Sequence, residues 1–532
     1  MGLRALGRSV VVPDDAAAGS VVVTVTEEHE SERVGSSHLK NFSILLTSQA
    51  TTFVLSVLAT VVIPRYLGAA VIGRLQLAIS MWALGGAVIG FGMDLAISKA
   101  VARDPKSLGR WISTSMVTQL CLSIPVAIVV FGYAFAVGYR TQVIVLLVIL
   151  GFGALVESWV SLTFAVLAGL ERFGTTSLAT VISRIIAVAG AIGLLLLGYD
   201  VYAVALIGVG GSIVASVIQW RAVYHAWREV DGVRPGAIRR DDVVALLREC
   251  APYFWIMFFM IAYRQVDVVV ISLVVENDDV LGWYSVYDRL AGTLMFIPSV
   301  FMTVIYPMLS RLHDDKGSDG QPNAQQVTIA RKAFRLMLLI SMPASFGLAV
   351  LARPIIELLY GEDFVNAAEV VVVGAAVISA TYLANVFSIL LISMDRQKPI
   401  TMLLAFNALI TIPLDIVLVP YFQQRMENGA VGGAVAYAIT ELIMLAGLIY
   451  LLPRGSLGAS SLSFVLRVVA ATAVMVAVVS QFRDDMLLVP IIIGVVVYLV
   501  GVAVFRLVDR DDRAVLTSAI PERFRPEGWR AV

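Results

Sequence analysis

The stretch YRQVDVVVISLVVENDDVLGWYSVYDRL, residues 263–290, sets Arg264, Asp267, Asp288 and Arg289 inside otherwise apolar runs. On a solvated helix such charges cost little, but in a buried one each needs a partner or a purpose. Composition decides which setting applies. Hydrophobic residues make up 59% of the 532 and charged residues 15%, and the mean hydropathy is +0.87. A soluble globular chain is about 45–50% apolar and about 25% charged. The chain is therefore read as a membrane protein. A formal net charge of zero gives no electrostatic footprint for nucleic acid. Cys121 and Cys250, both beside apolar runs, read as small buried hydrophobes, not as a disulfide framework or a thiolate cluster.

Working outward from 263–290, apolar runs of about 20 residues fall at 42–63, 74–97, 111–136, 141–167, 175–197, 201–222, 250–275, 281–308, 334–352, 366–392, 399–420, 430–452, 461–481 and 487–506. They exceed the nine to eleven residues of a spanning strand and lack strict alternation, so they predict helices. Pro125, Pro298, Pro343 and Pro413 lie within runs, where bundle neighbours tolerate a kink. Gly85, Gly86, Gly90 and Gly92 crowd the second run and suit close helix contact or a bend. Residues 237–250, AIRRDDVVALLREC, alternate charged and apolar positions at helical spacing. They are expected along the membrane surface before the seventh span.

Fourteen spans return both ends to one side, and Arg and Lys indicate which side that is. The loops on the side of the termini hold Lys99, Arg103, Lys106, Arg110, Arg172, Arg228, Arg234, Arg239, Arg240, Arg248, Arg311, Lys316, Arg331, Lys332, Arg396, Lys398 and Arg454. The opposite loops hold little beyond Arg65, Arg140, Arg353, Arg425 and Arg483, and they carry Glu276, Asp278, Asp279, Glu362 and Asp363. A multi-pass protein of the cell membrane with both termini cytoplasmic is expected. The first forty residues lack a sustained apolar core, because Pro13, Asp14 and Asp15 interrupt it, so no secretory signal peptide is read there. The organisation expected is a flexible cytoplasmic extension over 1–39, a six-helix lobe over 40–230, a linker with an amphipathic segment over 231–248, a second six-helix lobe over 249–455, two auxiliary spans over 456–506 and a cytoplasmic tail over 507–532. A loop rich in Gly, Pro and Asp is read at 313–326.

The first two runs match the seventh and eighth in layout. VVIPRYLGAAVIGRLQLAISM and VVISLVVENDDVLGWYSVYDRL each end one helix, turn, place a glycine (Gly73, Gly282) and open a polar-speckled helix. The sixth and twelfth runs match loosely, YDVYAVALIGVGGSIVAS against ENGAVGGAVAYAITELIM. Equivalents six spans apart enter from the same side, which predicts two parallel repeats. With IPRYLGAAVIGRLQLA (63–78), DVVVISLVVENDDVLGWYSVYDRL (267–290), IYPMLSRL (305–312) and NALITIPLDIVLVPYFQQRMENGAVGGAVAYAITELI (407–443) in that order, the chain resembles the Wzx-like polysaccharide and oligosaccharide flippases of the MOP superfamily over about residues 40–506. Its extension before residue 40 is longer than that family's usual start. The resemblance implies two six-helix lobes around a V-shaped cavity and two further helices. It also implies translocation of a polyprenyl- or dolichyl-phosphate-linked saccharide across the cytoplasmic membrane for cell-surface glycan assembly. Membrane lipids and glycan-assembly proteins are the partners it implies.

Arg264 and Asp267, three apart on one face, are open to pairing with each other or with a neighbouring span. Arg74, Asp94, Glu157, Arg184, Asp415, Glu441 and Arg467 are the other ionisable residues in or at the edges of the runs. A guanidinium fork matches phosphate oxygens, and the resemblance implies cationic side chains in the first, second, seventh and eighth spans. Arg74, Arg264 and Arg289 are therefore the candidate substrate contacts, and Arg65, at an outer end, a candidate gate or loop contact. Asp94, Asp267 and Asp288 are the candidate coupling or charge-balancing groups. Fixing helix register through salt bridges is the alternative role for the group, and snorkelling to the headgroups is the alternative for Arg74, Glu157 and Arg467.

No cofactor is expected. Coupling to Na+ or H+ through a carboxylate and potential-driven movement of an anionic headgroup both stay open. His29, His38, His225 and His313 fall outside the spans and do not cluster, so no metal site is read. No GxxxxGK[ST] loop occurs, which argues against ATP hydrolysis. The short outer loops argue against a membrane glycan polymerase or ligase. Fourteen spans argue against a multidrug-and-toxin-extrusion exporter, which has twelve, and cavity-depth charges argue against a passive scaffold.

Overall fold

The computed structural model describes residues 47–229, 240–314, 324–453, 456–483 and 485–507. The expected extension over 1–39, the linker up to 239, the centre of the 313–326 loop and the tail from 508 lie outside them. Among the described residues the elements are α-helices and short 3-10 turns, with no strand. In order the helices are α1 (Thr47–Leu67), α2 (Ala69–Gly90), α3 (Met93–Arg103), α4 (Leu108–Val137), α5 (Thr141–Gly169), α6 (Phe173–Leu196), α7 (Val201–Glu229), α8 (Arg240–Val274), α9 (Asp278–Leu294), α10 (Phe296–Asp314), α11 (Ala324–Val350), α12 (Ala352–Tyr360), α13 (Ala367–Ser393), α14 (Gln397–Met426), α15 (Gly429–Leu451), α16 (Ala459–Val479) and α17 (Leu488–Val504).

Among the described residues, thirteen helices, two of them running through the α2–α3 and α9–α10 junctions, are long and apolar enough to cross a membrane, and α17 is a shorter apolar helix of 17 residues. Each of the fourteen apolar runs, over its described residues, overlaps one of these. In hydrocarbon every backbone N–H and C=O must be paired within its own segment, which is why runs rich in Leu, Ala and Val become helices. Of the segment expected on the membrane surface before the seventh span, residues 237–239 lie outside the described residues, and the rest forms the first part of α8, a 35-residue helix that continues into the span.

Packing between helices repeats at an interval of six spans. α6 packs along α7 as α14 packs along α15, and α5 meets α7 as α13 meets α15. α1 touches α6 through Ser48 and Ser56, as α8 packs against α14. α2 lies between the repeats and contacts α8 and α9 from the second repeat as well as α4 and α5 from its own. α16 joins the second repeat through α11 and α17 through α16, with the Tyr498 hydroxyl donating to the Leu339 carbonyl at 2.8 Å.

The repeats touch near both ends of the bundle. At the acidic end α2 crosses α9 at Gly73 and Gly282. A Cβ on Gly282 would overlap the Ala69 carbonyl oxygen, and one on Gly73 would overlap that of Asp278. The two glycines matched as repeat equivalents are thus each other's packing partners, because only two residues without Cβ let the backbones come so close. At the basic end Phe91 and Gly92, both at positive φ, break α2 from α3. A Cβ on Gly92 would lie 2.6 Å from the Phe254 nitrogen on α8, and the Phe91 ring stacks on Phe254 at 4.3 Å. Arg110 pairs there with Asp242. Cys250 is buried, whereas Cys121, expected to be buried, is exposed on α4.

Candidate functional site

Between these two contacts lies a cavity of about 480 Å³, walled mainly by the first repeat. Its apolar surface comes from residues such as Ile63, Leu75, Trp82 and Val209, and its charged groups are Glu157, Arg184 and Arg289. α6 carries Arg184 eleven residues past its start at the basic end, about 16 Å at 1.5 Å per residue, which is mid-bilayer depth. The Arg184 guanidinium donates twice to Ser56 Oγ on α1, at 2.6 and 3.1 Å. α9 brings Arg289 across from the second repeat, where its Nη2 reaches Gln76 Oε1 on α2 at 3.5 Å. Its Nε is buried without a partner. Arg289 also lines a neighbouring cavity of about 380 Å³ between α1 and α9–α10, closed by Phe53 stacked on Phe296 at 3.9 Å.

Sequence reasoning selected Arg289 and left Arg184 and Glu157 outside the candidate set. Their signal was present, since both lie well inside apolar runs. Spans four and five were set aside because the resemblance pointed to spans one, two, seven and eight.

The structure takes the other candidates elsewhere. Arg74 lies at the acidic end, where Nε donates to Asp278 Oδ2 at 2.7 Å and the guanidinium also reaches Gln142. Arg140 meets the same carboxylate at 3.2 Å. Arg65 Nη1 donates to the Leu358 carbonyl at 2.8 Å, and Trp283 Nε1 to the Asp363 carbonyl at 3.0 Å. These contacts form a polar rim around the Gly73–Gly282 crossing. Asp94 accepts from Ser161 Oγ at 3.0 Å, near the basic end.

Arg264 and Asp267 do not pair with each other. Arg264 approaches Asp288 at 3.6 Å with both side chains part exposed, which is an ion pair without hydrogen-bond geometry. Asp288 and Arg289, neighbours about 100° apart on α9, therefore serve different places. One answers Arg264 within the second repeat, and the other crosses to the cavity.

Asp267 is 1% exposed and accepts from the Tyr284 hydroxyl at 2.5 Å. On α14, which packs along α8, Asp415 is 0% exposed and has neither oxygen hydrogen-bonded. Asn407, Thr411 and Asp415 recur every four residues and are all buried, so they form a polar stripe on one face of α14. The stripe was readable in NALITIPLDIV, where four-residue spacing marks it. Beside it Tyr263 donates to Glu441 at 2.8 Å, and the rings of Tyr263, Tyr284, Tyr287 and Tyr437 pack in sequence. Asp267 and Asp415 are thus two buried carboxyl groups on helices packed against each other, and no Arg or Lys side chain bonds either of them among the described residues.

A family model described as "Polysaccharide biosynthesis protein" matches residues 38–313, just over half the chain. The probable low-salt glycan biosynthesis flippase Agl15 of Haloferax volcanii is 20% identical over 383 residues, which are 71% of this chain and 75% of that protein. Among solved structures, the lipid II flippase MurJ in an inward closed conformation aligns with a TM-score of 0.68 at 16% identity, covering 87% of this chain and 98% of that one. An inward-facing multidrug resistance MATE family transporter of the MOP superfamily aligns with a TM-score of 0.59 at 14% identity, covering 76% and 96%. At these identities the two structures establish a shared fold.

Proposed function

The chain belongs to the polysaccharide biosynthesis protein family, and from that premise we propose that it is a flippase. Its substrate is a saccharide linked to a polyprenyl or dolichyl phosphate, moved across the cytoplasmic membrane for cell-surface glycan assembly. The observation that carries this reading is the cavity between the two inter-repeat contacts, into which each repeat sends an arginine, Arg184 from the first and Arg289 from the second. Two guanidinium groups against the one carboxylate of Glu157 leave the cavity cationic. Planar N–H forks match phosphate oxygens, while the apolar wall accepts the first part of a lipid chain. The same charge balance disfavours a cationic drug as cargo. The basic end of the bundle is cytoplasmic in this reading, by the excess of Arg and Lys in its loops.

Transport alternates by parting the Gly73–Gly282 contact or the Phe91–Phe254 contact while the other holds. Asp267 and Asp415 serve as the coupling pair. A proton or Na+ taken up between them neutralises charge in the core of the second repeat and biases which contact opens. Reconstitution into liposomes with a lipid-linked saccharide and, separately, a small cationic drug tests the reading. Saccharide translocation that follows an imposed ion gradient supports it. Drug efflux without lipid translocation overturns it in favour of an exporter.

A further inference from the structure

The first repeat carries a second hollow on its outer face, and the proposed transport uses no residue of it. On α5 the residues facing the cavity are Leu150, Gly153, Ala154 and Glu157. Phe152, Val156 and Trp159 lie about half a helical turn away, and with α7 they line a groove of about 760 Å³. Its floor is apolar. Phe152, Ile213 and Val217 are each at least 40% exposed, so they face lipid rather than a neighbouring helix.

One end of the groove is polar. Arg221 and His225, one turn apart on α7, both line it. Arg221 forms no ion pair or hydrogen bond among the described residues. Trp159 Nε1, on the facing helix, is buried without a partner. Arg228, a further turn on, lies over the Tyr224 ring at 5.9 Å.

Depth identifies what these groups meet. α7 begins at Val201 at the acidic end, so Arg221 lies about 30 Å along it, one hydrocarbon thickness away, at the opposite interface. From Ile213 to His225 the groove runs about 18 Å, close to the depth of a single leaflet. A transmembrane helix from a partner would need a groove of twice that length.

We propose that this groove binds one anionic glycerophospholipid from the leaflet at the basic end. The phosphate sits on Arg221 and His225, with Trp159 Nε1 donating to its ester region, and an acyl chain lies along Phe152, Val156, Ile213 and Val217. Cation and anion complement each other at interface depth, where cationic side chains attract anionic headgroups. Because α5 and α7 also wall the transport cavity, the lipid braces that wall from behind. The inference rests on groove geometry and membrane depth, and does not depend on which cargo the cavity carries.

The test is native mass spectrometry of the full-length protein, released from detergent after exchange with phosphatidylglycerol or phosphatidylcholine. The wild type should retain one phosphatidylglycerol in preference to phosphatidylcholine. Arg221→Gln combined with His225→Gln should weaken that retention about tenfold, as expected for losing one headgroup cation and one imidazole N–H donor near the surface. Val217→Trp, which fills the apolar floor and leaves Arg221 and His225 in place, should displace the lipid equally and keeps the question decidable if the double variant is unstable. Equal retention of the two lipids, or retention unchanged in Val217→Trp, overturns the proposal. A dimer that carries no lipid and that Val217→Trp dissociates overturns it in favour of a second copy of the chain.

Discussion

The two repeats answer each other in packing yet differ in what they enclose. In the first, most of α5 is part-exposed, and the repeat surrounds an open cavity holding Glu157 and Arg184. In the second, the equivalent α13 is mostly buried, and the space is filled by tyrosine rings, Asp267, Asp415 and Glu441. A tyrosine fits against Gly374 of α13, whereas Gly151 and Gly153 of α5 meet Trp82 and Val209. One architecture therefore supplies two environments. The open hollow suits a bulky, charged headgroup, and the filled core suits a proton or small ion whose charge must be compensated locally. On this comparison, damage to the first repeat's cavity should impair cargo recognition, and damage to the second repeat's core should impair coupling.

The largest effect is expected from Arg289→Ala. The side chain enters the cavity from the opposite repeat and has a buried Nε with no partner, so a phosphate oxygen would be its natural acceptor. Losing a desolvated charge-assisted contact of this kind should lower translocation by at least about 30-fold, with membrane abundance unchanged. Arg184→Ala should act similarly and release Ser56. Translocation by liposome assay, normalised to reconstituted protein, measures both. Wild-type rates in both variants would place cargo recognition outside the first repeat's cavity and break the comparison.

Next is Asp415→Asn. Its two oxygens are buried and unpartnered, so an amide of the same shape removes a potential buried charge at little cost to packing. The melting temperature in detergent should hold or rise, while the response of translocation to an imposed ion gradient should fall about tenfold, the equivalent of about 1.4 kcal/mol of coupling. Cargo binding at equilibrium should be unaffected. A variant that loses cargo affinity yet keeps its gradient response would reverse the roles assigned to the repeats.

A third test concerns the contact that holds the repeats together. Gly282→Ala forces a methyl group into the Ala69 carbonyl and should cost the crossing about 1–3 kcal/mol. Ser285 is fully buried one turn below it. In a background lacking Cys121 and Cys250, Ser285→Cys should react with a membrane-impermeant thiol reagent about tenfold faster when Gly282→Ala is added, as a shift of about 1.4 kcal/mol in the opening equilibrium requires. Unchanged labelling would mean that the Arg74–Asp278 and Arg65–Leu358 contacts hold the end closed without the glycines.

What the sequence disclosed follows from the physics of each feature. Span number and the breaks between spans were legible because hydrocarbon thickness and backbone pairing leave few alternatives, as the match between 366–392 and α13 illustrates. The turn inside the second span was legible only as a cluster of glycines, since a Phe at positive φ, as at Phe91, has no reliable sequence mark. Candidate charges were legible as charges, but their directions were not. Arg264 and Asp267 share a helix face, yet their partners are set by α9 and by the tyrosines, which long-range packing brings in. Asp415 was visible in a four-residue polar stripe, and only the approach of α8 to α14 makes it half of a pair.

The smallest effects separate two arginines that look alike in sequence. Arg264 lies ten residues before the end of α8, and its 54% exposed side chain faces Asp288, itself 37% exposed, at 3.6 Å. An ion pair so open and so long contributes about 0–1 kcal/mol. Arg264→Ala should therefore slow translocation only about threefold, through the loss of positive potential near Glu441 and the tyrosine core rather than through a lost contact. Arg264→Lys should restore most of that, because potential depends on charge and not on a guanidinium fork. Arg467 is exposed on α16, which packs on the far side of the second repeat against α11 and α17. Its long stem lets the guanidinium rise to the lipid headgroups, so Arg467→Ala should leave translocation and melting temperature at wild-type values. A collapse of translocation in Arg264→Ala that Lys does not rescue would instead show a forked contact to cargo. The second repeat would then share in recognition, and the division of labour between the two repeats would have to be redrawn around Arg264.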